Sequence, residues 1–197
     1  TFVSIRSVLH DAFDRIDELH KGQGKLRGLT TGFRELDNLL AGLQKSDLVI
    51  LAARPSVGKT SLALDIARQV GVEAKIPVGF FSLEMSKEQL VDRMICAQAN
   101  VDLWKLRTGR LSDQDNDFPR IGNALGELSE APIFIDDSAT LNVMQLRTKA
   151  RRLKTEHGLG LLVVDYLQLM EGRSRKGSDN RFQEVSEISR GIKQIAK

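Results

Sequence analysis

Apolar residues recur at helical spacing from the start of the chain. Phe2, Ile5, Val8, Leu9, Ala12, Phe13, Ile16 and Leu19 share one stripe, with Asp11, Asp14, Asp17 and Glu18 mostly opposite. The pattern predicts an amphipathic helix over residues 1–20. Two readings of that stripe stand: it covers its own domain, or it is a linker that docks on a neighbouring subunit. Amphipathicity names no partner. The polar HKGQGK follows, and residues 21–30 read as a flexible joint.

After the joint the period changes. TGFRELDNLLAGLQKSD predicts a short helix and a turn, leading into a first core strand at residues 48–52. SLALDIARQVG then reads as a helix, IPVGFFSLE as a strand, and SKEQLVDRMICAQAN as a helix opened by a Ser86/Gln89 capping box. VDLWKLRTG and SDQDNDFPRIGNALGELSEA predict two further helices. PIFIDD is a strand, VMQLRTKARRLKTEHG a helix, and LGLLVVDYLQLM a strand running into a turn. EGRSRKGSDNR reads as a polar, basic loop before a last helix, QEVSEISRGIKQIAK. Continuous apolar strands alternating with helices predict an α/β domain with a mainly parallel sheet, flanked by helices on both faces.

Composition narrows the class without naming a function. A chain of 197 residues buries roughly 70% of its unfolded surface, enough for one sizeable core. With 41% hydrophobic and 28% charged residues it is expected to fold rather than remain disordered. The single cysteine, Cys96, forms no intrachain disulfide, which fits a reducing, cytoplasmic setting. Residues 1–20 carry acids throughout, so a signal peptide is not expected there. No apolar run approaches the ~18 residues that a membrane-spanning helix needs. The expectation is a soluble protein with no membrane partner.

The chemistry starts at LAARPSVGKT, residues 51–60. It follows an apolar run, precedes a predicted helix and nearly fits Gly-x-x-x-x-Gly-Lys-[Ser/Thr], with Ala53 in place of the first glycine. Such a loop packs backbone amides around a phosphate, ahead of a helix whose positive end faces the anion. Ala53, Arg54, Pro55, Ser56, Val57 and Gly58 form the cradle. Gly58 permits close backbone approach and Pro55 fixes a φ. Lys59 supplies a charge to the β- and γ-phosphates, Thr60 a hydroxyl to Mg²⁺, and Ser61 follows. The methyl group of Ala53 is tolerated where φ is negative. ATP and Mg²⁺ are the expected ligands.

Hydrolysis also needs a carboxylate near the metal and a group to orient water. Two apolar strands end in aspartate: IFIDD with Asp136 and Asp137, and LLVVD with Asp165. Either fits the metal-side strand, and the later one is favoured by its longer run and by polar Gln168 just beyond. A third strand, FFSLE, ends in Glu84. That carboxylate is either a general base at the sheet edge or the first charge of the helix that SLEMS opens. Arg173, Arg175, Lys176 and Arg181 form a basic loop after the second aspartate strand. It suits the backbone of single-stranded DNA, or it is a solvated loop. Arg147, Lys149, Arg151, Arg152 and Lys154 read as a solvated helix face or a subunit contact. No aromatic residue interleaves with either set, so base stacking and sequence specificity are not expected.

ARPSVGKT, FFSLEMS, VVDYLQLM and NRFQEVSEISR, in this order and spacing, closely resemble the ATPase domain of DnaB-type replicative helicases, members of the RecA-like motor superfamily. The resemblance covers essentially the whole chain. It implies a RecA-like P-loop core over residues 31–197 behind a linker helix. Glu84 would be the catalytic glutamate and Asp165 the metal-side aspartate. Arg93 would lie at the nucleotide site, and Gln168 would link nucleotide state to DNA. The resemblance also implies a homohexameric ring with the basic loop near its channel, acting at the replication fork with a primase and a helicase loader. A collar domain is expected ahead of the chain. A further strand with a phosphate-sensing glutamine, DNA-binding loops and an arginine reaching the neighbour's ATP are expected beyond Lys197. Ala53 and Ser56 stand where many members have glycine, and Phe182 where many are polar. The nearest rivals are a RecA- or RadA-type recombinase, which shares the fold but forms filaments, and a small-molecule P-loop kinase, which needs an arginine-rich lid. A non-hydrolysing interaction module is the third.

Overall fold

The computed structural model describes residues 3–21, 27–170 and 181–197. The chain divides into two compact units, Thr1–Gln44 and Lys45–Lys197.

In the first unit, helix α1, Ile5–Lys21, follows the predicted stripe. Ile5, Val8, Leu9, Phe13 and Ile16 stand exposed, so this unit does not bury that face. Residues 22–26 of the expected joint lie outside the described residues. Helix α2, Arg34–Leu40, ends on Ala41 in the left-handed region. It is tied to the chain before it by buried Asp37, which accepts hydrogen bonds from the Thr30 hydroxyl at 2.6 Å and from the Thr31 amide and hydroxyl at 2.7 Å each. Leu29 and Leu43 close the unit with a two-hydrogen-bond antiparallel bridge.

The second unit alternates as its sequence pattern predicts. Its elements are α3 (Lys59–Val72), β1 (Val78–Ser82), α4 (Lys87–Ala99), α5 (Leu103–Thr108), α6 (Asp117–Ser129), β2 (Ile133–Asp136), α7 (Val143–His157), β3 (Leu161–Asp165) and α8 (Arg181–Ala196). A 3₁₀ turn, Leu167–Leu169, follows β3, and the peptide joining Asp165 to Tyr166 is cis. The capping box at Ser86 and Gln89 forms as expected. The three strands are parallel in the order β2-β1-β3. Every residue of central β1 is buried, which explains its unbroken apolar run. One face of β1 presents Gly79 to Leu153 of α7. Phe81, on the same face, packs with Leu141, Leu146, Met170, Ile188 and Ile192 beneath α7 and α8. Helix α3 packs against all three strands. A Cβ on its Gly71 would come within 2.4 Å of Ile133, so glycine permits the close approach. Ala99, Val101 and Ala124 make a satellite cluster between α4 and α6.

One predicted element does not form. Residues 48–52 are not a strand; Leu48 packs on the core, but Val49, Ile50 and Leu51 are exposed. An apolar run does not by itself specify a hydrogen-bonding neighbour, and among the described residues no ladder pairs with this segment. Among the described residues no helix is long and apolar enough to cross a membrane.

Candidate functional site

Parallel strands bring their C-terminal ends to one edge of the sheet, and loops at that edge carry the chemistry. The register pairs Ser82 with Asp165. Beyond it the Leu83 amide donates to the Asp165 carbonyl at 2.8 Å. Glu84 therefore leaves β1 one residue past a backbone bond to Asp165, and it is exposed.

The loop ahead of α3 turns at Pro55 and Ser56 and ends on Gly58 with φ 100° and ψ 21°. No side chain caps α3. The amides of its first turn, which no helix can satisfy internally, thus face the loop and suit an anion. Ala53 is not among the residues with positive φ, so its methyl group brings no left-handed backbone strain. Ser56 has φ 65°, a conformation that glycine adopts without the steric cost a serine meets.

Lys59 and Thr60, the first two residues of α3, both reach Asp165. The Lys59 ammonium lies 2.8 Å from Asp165 Oδ1, and the Thr60 hydroxyl donates to Oδ2 at 2.6 Å. Asp165 is only 3% exposed, so its charge is compensated by these two groups rather than by water. The Lys59 ammonium also sits 3.8 Å from the centroid of the Tyr166 ring. Tyr166 was not singled out by sequence reasoning. Its only signal is its place directly after the aspartate.

The same geometry separates the two aspartate strands by their contacts. Asp136 accepts from the Ser138 amide at 3.0 Å and hydroxyl at 2.5 Å, and from Lys149 at 2.5 Å. Burial alone would raise the Asp136 pKa, but Lys149 and Ser138 outweigh it and hold the carboxyl below its ordinary value. Asp137 accepts from the Lys87 amide at the start of α4. Both aspartates are thereby engaged in local structure, and Asp165 is the one that meets the phosphate loop.

The remaining candidates divide. Arg93 reaches Ser61 rather than the loop: Nη1 donates to Ser61 Oγ at 3.4 Å, while Nε is buried with no hydrogen-bond partner. Both residues line a cavity of about 500 Å³ between α3 and α4. Arg54 and Val57 are exposed on the loop, and Gln168 is exposed on the 3₁₀ turn after β3. Arg173, Arg175 and Lys176 lie outside the described residues, and Arg181 is the first residue of α8. On α7, Arg152 pairs with Glu156 and Lys154 donates to the Leu159 carbonyl. Arg152 and Lys154 remain exposed, as a solvated helix face requires, and Lys149 is partly drawn in by its pair with Asp136.

A hydroxyl and a carboxylate 2.6 Å apart are hard oxygen donors. Mg²⁺ commonly takes one or two such groups and fills its octahedron with phosphate oxygens and water. The pair Thr60 and Asp165 fits that chemistry. Among the described residues no group of three or more His, Cys, Asp or Glu side chains could hold a metal without such help.

Comparison with known proteins agrees with this architecture. The chain is 50% identical to the replicative DNA helicase DnaC of Bacillus subtilis and 49% identical to DnaB of Geobacillus stearothermophilus, each over 196 residues. It spans 42% of the length of each of these relatives. Among solved structures, an ATPase domain superposes with a TM-score of 0.89 at 31% identity, covering all of this chain and 68% of that one. A DnaB-like replicative helicase, described with its interactions with primase, superposes at 0.84 and 32% identity, with all of this chain matching 46% of that one. The three-stranded parallel sheet and its helices are thus a RecA-like fold. The model of the DnaB-like helicase C-terminal domain matches residues 28–197, and the chain belongs to that family.

Proposed function

We propose that this chain is the ATP-hydrolysing motor domain of a ring-shaped replicative DNA helicase. The observation that carries the reading is the convergence of Lys59 and Thr60 on Asp165, at 2.8 and 2.6 Å, where the phosphate loop meets the end of β3. In this reading the loop amides from Ala53 to Gly58 and the first turn of α3 bind the triphosphate. Lys59 turns from Asp165 toward the β- and γ-phosphate oxygens. Thr60 and Asp165 would hold Mg²⁺, which when bound would neutralise charge developing on those oxygens. Glu84, two residues beyond the Ser82 that pairs with Asp165, orients the attacking water and accepts its proton. Arg93 steadies the first turn of α3 through Ser61, and Gln168 carries the change at β3 toward the loop that follows.

Arg173, Arg175, Lys176 and Arg181 then contact single-stranded DNA through its phosphates, which gives affinity without sequence preference. Six copies of the full-length protein would surround the strand, with ATP at each subunit boundary. The exposed apolar face of α1 supports a linker role for residues 1–20 ahead of a core at residues 31–197. The identities to replicative helicases support action in the cytoplasm at the replication fork. The relative described with primase supports a primase as partner, and a helicase loader completes the reading.

The test is phosphate release by the full-length protein with and without single-stranded DNA. Turnover should rise with DNA and fall at least ~100-fold in Lys59→Ala. Turnover in Lys59→Ala equal to that of the unaltered protein would remove the phosphate loop from the mechanism. Phosphate transfer to a small metabolite instead of water would favour a kinase.

A further inference from the structure

We propose that Tyr166 is a positioning residue, whose ring face holds the Lys59 ammonium in place for the phosphates. The proposal rests on the nucleotide-site reading above and adds to it a residue with no other assigned part. Its basis is geometric. The Lys59 ammonium lies 3.8 Å from the Tyr166 ring centroid and 2.8 Å from Asp165 Oδ1. Tyr166 is half-buried, and about three quarters of the Lys59 side chain is withdrawn from solvent. A cation over an aromatic face is attracted by the ring quadrupole, more strongly where water is partly excluded.

The ring solves a problem that Asp165 creates. A lysine is a strongly hydrated charge on a four-carbon stem with many rotamers, so holding it at one point costs entropy. Asp165 can hold it, but its carboxylate takes up one of the N–H donors that the phosphates need. The same carboxylate is also the group best suited to the metal. With Asp165 turned to a bound metal, Lys59 would lose its anionic anchor. An aromatic face differs on both counts. It attracts the charge as a whole and demands no single directed hydrogen bond, so ammonium N–H donors turned away from the ring stay available to phosphate oxygens. Tyr166 can therefore keep Lys59 at the loop throughout the exchange of partners. Backbone continuity from Asp165 to Tyr166 fixes both anchors to the end of β3.

The experiment uses the full-length protein with Mg²⁺ and a slowly hydrolysed ATP analogue, with Kd read by titration. Tyr166→Phe keeps the ring and should stay within about twofold of the unaltered affinity. Phenylalanines carrying one, two and three fluorines at position 166 preserve shape but weaken the ring quadrupole, and affinity should fall stepwise along that series. Tyr166→Leu should raise Kd about three- to thirty-fold, the range that cation–π attraction spans. In a Lys59→Met background, titrated to high nucleotide concentration, Tyr166→Leu should add less than about twofold, because the group it positions is gone. A flat fluorine series, or a Tyr166→Leu penalty that persists without Lys59, overturns the positioning role. If Lys59→Met leaves affinity unchanged, the phosphate-loop reading falls as well. Weakened binding in Lys59→Met with a flat fluorine series removes Tyr166 alone.

Discussion

Replacing Lys59 with methionine leaves a buried carboxylate with one hydroxyl for company. Replacing Asp165 with asparagine leaves a partly exposed ammonium that can turn to water. The two substitutions should therefore differ in cost and fail to add. At the observed 2.8 Å, Coulomb attraction is about 6 kcal/mol at an effective dielectric of 20 and about 1.5 kcal/mol in water. The Asp165 side chain is 4% exposed and that of Lys59 25%, so the pair lies between those limits, and carboxylate desolvation subtracts from either. A net coupling of about 2 kcal/mol follows, with Lys59→Met alone costing about 3 kcal/mol. The assay is a double-mutant cycle by urea unfolding without nucleotide or Mg²⁺. Fluorescence of Trp104, the single tryptophan, reports on the unit that holds the pair. A coupling below about 0.5 kcal/mol would mean that the two side chains do not constrain one another in solution, and their convergence at the phosphate loop would lose its support.

Two further outcomes are expected. Glu84→Gln in the full-length protein should bind ATP with nearly unchanged affinity but hydrolyse it at least ~100-fold more slowly, since an amide cannot accept the water proton; single-turnover phosphate release decides, and near-normal turnover would exclude Glu84. In the first unit, burial alone would raise the Asp37 pKa, but the donors of Thr30, Thr31 and Gly32 together hold it below its ordinary value. Its stabilisation is full above the unfolded carboxyl pKa of about 4 and is lost as pH falls through the lower folded-state value. Protection of the Leu29 and Leu43 amides, taken relative to intrinsic exchange at each pH, should fall over that window, and Asp37→Ala should weaken it at neutral pH by about 1–3 kcal/mol. Equal protection at neutral and strongly acid pH would contradict this.

Much of the molecule was legible along the chain because the features concerned are local. Helix periodicity placed α3, α4 and α7, the capping box at Ser86 and Gln89 is a four-residue device, and Gly58, Lys59 and Thr60 are contiguous. Continuous apolar strands pointed to a covered parallel sheet, and β1 is buried throughout. The expected strand at residues 48–52 failed for the complementary reason: a strand exists only through a neighbour, and hydrophobicity does not specify one. Arg93 illustrates the same limit, since its contact with Ser61 depends on how α4 packs against α3.

The choice among Asp136, Asp137 and Asp165 marks the boundary most clearly. All three lie at the ends of two apolar strands, and the one-dimensional pattern treats them nearly alike. Strand order and register put Asp165 against α3 and leave the other two to Lys149, Ser138 and the start of α4. Residue type and short-range spacing set which groups are able to do phosphate chemistry. Which of them meet, as Lys59 meets both Asp165 and Tyr166 across more than a hundred residues of chain, is set by packing and hydrogen-bond pairing between elements far apart in the sequence.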